Sequence, residues 1–139
     1  MKKLACAFFA ILLLAAFSAE VQDKKPGKAK QAQDDSKYVV VERDSLGWVV
    51  PTAIIKPQHK KIQWSLGKTQ QSQQFVIVFK GDDPLEGNAH ISGPNGVLKA
   101  AIRGDVPRGQ NKHYLYEFVL VGSKQAARGE KSPPEMVIE

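Results

Sequence analysis

Apolar and polar residues alternate along most of this chain with the two-residue period of β-strands. Tyr38-Val39-Val40-Val41 is aromatic and β-branched, and Trp48-Val49-Val50 runs to Pro51. Ala53-Ile54-Ile55 is stopped by Pro57, and Ile62-Gln63-Trp64 alternates. Phe75-Val76-Ile77-Val78-Phe79 is the strongest strand pattern. Val97 to Ile102, Tyr114 to Val121 and Met136-Val137-Ile138 complete the set. Turn residues lie between them, as in Gly81-Asp82-Asp83-Pro84, Gly93-Pro94-Asn95-Gly96 and Asp105-Val106-Pro107-Arg108-Gly109. About seven short strands at this spacing, without an amphipathic helix, predict an all-β sandwich or barrel. Ser123 to Glu130 is the stretch where a single helical turn is expected.

The first residues follow a different pattern. Lys2 and Lys3 precede an apolar run from Leu4 to Phe17, and Ala16-Phe17-Ser18 places small residues at the −3 and −1 positions of a cleavage site. This is the tripartite pattern of a secretory signal peptide over residues 1–18, with cleavage expected after Ser18 or Ala19. The run is short for a membrane anchor, which needs about 20 apolar residues, so no stable membrane insertion is expected after cleavage. A retained, tethered N-terminus is the alternative. The expected location is periplasmic or extracellular.

Residues 19–37 are rich in Lys, Asp and Gln, with Pro26 and Gly27, and carry only Val21 as a strong apolar residue. They cannot bury enough surface to offset the entropy of ordering, so a disordered charged linker is expected. Residues 38–139 then form one domain of ordinary size.

The formal net charge is +6 and falls to +4 when Lys2 and Lys3 leave with the leader. Its basic residues are scattered rather than gathered into an aromatic-studded strip, so a nucleic-acid partner is not expected. The only cysteine, Cys6, lies within the leader. The exported form is therefore expected to carry no disulfide, no thiolate nucleophile and no sulfur-ligated metal.

The order of the strands resembles the cupredoxin family. The likeness rests on the Lys61-Ile62-Gln63-Trp64 strand, the polar loop before Phe75 to Phe79, the Tyr114-Leu115-Tyr116 strand, and the closing Pro134-Glu135-Met136-Val137-Ile138. It spans about Tyr38 to Glu139 and implies a Greek-key β-sandwich. The family's blue-copper site uses a Cys thiolate and two imidazoles, usually with an axial thioether. The first histidine would fall where this chain has Gln71, Ser72, Gln73 and Gln74. The remaining ligands would fall within Phe118 to Ser132, which has neither Cys nor His. Met136 is expected in the core. The resemblance thus implies the fold without type 1 copper.

The other candidate chemistry is sparse. His59, His90 and His113 each stand without a second histidine three or four residues away, and their sequence neighbours are cationic or neutral. Each is expected to be a solvated loop residue; His90 and His113 remain candidates for surface metal capture. Asp82, Asp83 and Glu86 lack EF-hand spacing and read as turn chemistry. No Gly-x-Ser-x-Gly elbow, phosphate loop or marked carboxylate pair is present. The aromatic residues read as core, with Trp64 and Tyr116 as anchors. No catalytic residue, cofactor or metal ligand is assigned. The expected function is a non-catalytic binding or accessory module for an envelope protein or polymer, presenting the loops at Gln70–Gln74, Asp82–Gly96 and Gln125–Ser132. Two alternatives are a metal-handling protein with histidine ligands and a small hydrolase or carbohydrate-binding domain.

Overall fold

Alternating β-branched and aromatic residues leave this chain few options other than extended structure. The computed structural model describes residues 34–68, 72–123 and 125–139. The expected signal peptide and most of the expected linker lie outside them. Ten strands form: β1 (Ser36–Asp44), β2 (Gly47–Val50), β3 (Ala53–Ile55), β4 (Lys61–Leu66), β5 (Phe75–Phe79), β6 (His90–Ile91), β7 (Val97–Ala101), β8 (Lys112–Leu120), β9 (Ala126–Gly129) and β10 (Glu135–Ile138). No α-helix occurs among the described residues. β1 begins at Ser36, within the last residues of the stretch read as linker.

The strands form a mixed sheet. β1 pairs antiparallel with β2 and parallel with β4, and β4 pairs antiparallel with β7. A second group joins β3 parallel to β10, then β10, β8, β5 and β6 by antiparallel steps. β9 connects the groups, antiparallel to β8 and parallel to β2.

β9 corrects the expected helical turn. Ala126-Ala127-Arg128-Gly129 has no β-branched residue, so propensity argues against a strand there. Pairing on both edges overrides it, and the small Ala127 fits beneath β8 opposite Phe118. Gly129 is needed for a close approach: a Cβ there would lie 2.7 Å from the carbonyl oxygen of Pro133.

Alternation places one face of each strand inward. Val39 and Val41, Ile62 and Trp64, Phe75 and Ile77, and Tyr114, Tyr116 and Phe118 all enter one core. Trp64 on β4 and Tyr116 on β8 belong to strands that are not neighbours in the sheet, yet both are fully buried and in contact. The indole N–H donates to the Tyr116 hydroxyl at 3.2 Å, and the rings meet edge to face at 6.0 Å and 78°. The sheet therefore doubles over to enclose its core. Burial pushes the Tyr116 phenol up to about 12, so it stays neutral and keeps this bond through the physiological range. Phe75 and Phe118 stack at 4.3 Å on the same inner face. Met136 is fully buried, as expected.

Trp64→Ala removes the largest inward side chain and should lower unfolding free energy by about 3–5 kcal/mol in denaturant titration. Gly129→Ala should cost about 1–3 kcal/mol, because backbone atoms, not a flexible side chain, meet the new methyl.

Candidate functional site

The densest cluster of chemistry-bearing groups lies where the turn after β5 meets β6 and the ends of β7 and β8. Asp83 Oδ1 accepts from the Leu85 amide at 2.9 Å, the two-residue reach typical of an Asp in a turn. Its Oδ2 lies 2.6 Å from His90 Nε2. Because the carboxylate only accepts, Nε2 carries the proton in the neutral imidazole. Phe79 stands edge-on to the ring at 6.0 Å.

His90 is only 5% exposed, which corrects the expectation of a solvated loop histidine. The cause is strand pairing: β6 sets His90 opposite Ile77, on the inward face. Asp82, the neighbouring residue, turns elsewhere, to Lys112 Nζ at 3.2 Å and Arg103 Nη2 at 3.3 Å. The Lys112 hydrogen bond, then the Arg103 charge, hold its carboxyl below the ordinary range. Asp82 and Asp83 thus serve different partners and do not converge as a cation site.

The other two histidines are separate. His113 sits outward on β8, its Nδ1 3.1 Å from Glu135. His59 closes a turn: its Nδ1 accepts from the Lys56 amide at 3.0 Å and its own amide donates to the Lys56 carbonyl at 2.9 Å. Burial, then the charges of Lys37, Lys56 and Arg108, push the His59 imidazole below its usual value, which suits the acceptor role of Nδ1. His90 faces inward and His113 outward, so the two metal candidates occupy opposite faces of their layer.

A type 1 copper centre needs a thiolate and two convergent imidazoles. Gln74, in the loop where the resemblance would place a first imidazole, donates its side-chain amide to the Ser92 carbonyl at 3.1 Å. The segment after β8 contributes β9, whose Ala127 enters the core. Among the described residues no thiolate and no paired imidazoles converge there, so these residues do not fit such a centre. Among the described residues, no three His, Cys, Asp or Glu side chains gather as a metal cluster.

The hydroxyl nearest in sequence to the Asp83–His90 pair is already committed. Ser92, two residues along, is buried, but its Oγ accepts from the Phe75 amide at 2.9 Å and donates to the Gly93 carbonyl at 3.1 Å. That hydroxyl stitches β5 to the next turn. The arrangement supports a structural pair, not an acyl-transfer triad.

The three loops expected to present a binding surface divide between the two ends of the fold. Gln74, Ser92, Val121 and Gln125 are joined by backbone and side-chain bonds at one end. The Asp82 turn lies at the other, where Glu86 bonds Ala101 and Lys80 bonds Leu115. Gln70 and Gln71 fall outside the described residues. What sequence reasoning missed is a surface on a sheet face. An open groove of about 310 Å³ crosses the outer side of β1, β4 and β7 beside the half-exposed ring of Tyr38. The signal was present: Tyr38 alternates with inward Val39 and so had to face out.

No helix among the described residues is long and apolar enough to cross a membrane. Comparison with known proteins finds no matching family model, curated protein or solved structure.

Removing the Asp83 acceptor should be felt in stability. Asp83→Ala leaves the Leu85 amide and the buried His90 Nε2 without a partner, and should cost about 1–3 kcal/mol in chemical unfolding.

Proposed function

We propose that this chain is an exported, non-catalytic binding or accessory module built on a cupredoxin-like Greek-key sandwich without type 1 copper. The chain order supports the Greek-key part of the reading. The early strand β1 runs parallel beside β4, and the early strand β3 lies beside the last strand, β10, so long connections bring distant segments together. The Lys2–Ser18 pattern supports export.

One observation carries the functional part. The histidines and the Asp82–Asp83 carboxylates are each engaged with separate partners: Asp83 with His90, Asp82 with two cations, His113 with Glu135, His59 with its own turn. The outward sheet face, in contrast, offers an open groove and an accessible aromatic ring. Such a distribution favours recognition over turnover.

A metal-handling role through histidine is the competing reading, favoured by the carboxylates beside His90 and His113. Titration of the purified full chain with Cu(II), Cu(I) and Zn(II), read by calorimetry, decides between them. We expect no site of micromolar affinity or tighter. A site of that strength lost in His90→Ala or His113→Ala would overturn the non-metal reading.

A further inference from the structure

The outer face of β1, β4 and β7 is set by register. Tyr38 on β1 stands beside Gln63 on β4, which stands beside Lys99 on β7. The next row along the strands is Ser36, Lys61 and Ala101. These six residues line the groove, and Lys61 and Lys99 are its only charged members among the described residues. Lys61 is 3.6 Å from Asp35, whereas Lys99 has no ion-pair partner among the described residues. Tyr38 is 53% exposed. Its hydroxyl donates to Asp34 Oδ2 at 2.7 Å, which fixes the tilt of the ring before any ligand arrives.

We infer that this groove binds an anionic polysaccharide, with Tyr38 stacking on a pyranose ring and Lys99 pairing with a carboxylate of the same chain. This rests on the binding-module reading above and names its ligand class. The C–H face of a sugar is weakly positive and suits the negative face of an aromatic ring. Ser36 and Ala101 keep the floor low beside that ring. Gln63 supplies both donor and acceptor to sugar hydroxyls between the two anchors. The anchors are two strand spacings apart, about 10 Å, close to the length of two linked pyranoses. A polymer crossing the strands would therefore meet the ring with one sugar and the ammonium with the next.

A peptide suits the groove less well. The floor is β4, whose backbone groups are paired on both edges, to β1 and to β7. An extended peptide laid there would find no ladder partners for its own amides. A sugar chain needs only a flat face, hydroxyl partners and, when it is acidic, a cation.

The test is calorimetric titration of the full chain with polygalacturonate, dextran and poly-glutamate, repeated in Tyr38→Ala, Tyr38→Phe and Lys99→Gln. Polygalacturonate should bind in preference to both other polymers. Tyr38→Ala should weaken it about tenfold or more, while Tyr38→Phe retains binding. Lys99→Gln should weaken it less and flatten its dependence on salt. Melting midpoints of all three variants should stay near that of the parent, because both positions face solvent. Equal binding of dextran, tighter binding of poly-glutamate, insensitivity to Tyr38→Ala, or no binding of polygalacturonate would each overturn the inference. None of these outcomes would touch the binding-module reading, which falls instead to histidine-dependent metal affinity.

Discussion

The edge-to-face contact between Trp64 and Tyr116 holds the inner faces of two strand groups together. It joins β4 to β8 across the core, with a hydrogen bond from the indole N–H to a phenol that burial keeps neutral. Two large aromatics from strands that are not neighbours fix the distance between the layers. The remaining inward residues then fill a space whose width these rings have set. β9 fits because its inward positions are small, and Gly129 lets the Pro133–Pro134 backbone pass at van der Waals distance.

Polar groups are arranged around this core so that few remain open to chemistry. Asp83 ties a turn to a buried imidazole, Ser92 ties the start of β5 to the following turn, and Asp82 draws together Arg103, just after β7, and Lys112 at the start of β8. The Asp83 and Ser92 links satisfy groups that burial would otherwise penalise, whereas the Asp82 contacts lie at the surface. Acid–base residues used in this way stabilise a scaffold. The proposed sugar-binding face follows from that division: the Tyr38 ring and the Lys99 ammonium, which has no ion-pair partner among the described residues, point away from the core on either side of β4, whose backbone is paired on both edges.

Much of the fold was legible from alternation. The boundaries of β3 and β5 match their patterns, and the buried positions of Trp64, Tyr116, Phe118 and Met136 follow from apolar spacing. β6 and β9 were not legible. His90-Ile91 is too short to carry a period, and Ala126 to Gly129 has none of the side chains that mark strands. Their edges are made by partners elsewhere in the chain. The candidate site was less legible still. Asp83 and His90 are seven residues apart, but only the fold-back of β6 onto β5 turns the imidazole inward to meet the carboxylate.

By itself, then, the sequence determined strand character, the identity of most core residues, and the confinement of its one cysteine to the leader pattern, because these depend on local period and residue type. Tertiary structure alone decided which strands lie side by side, which charges pair, and that Tyr38, Gln63 and Lys99 fall in one row. Register is a relation between segments far apart in the chain. It is set by layers closing on a shared core, a condition no single segment carries.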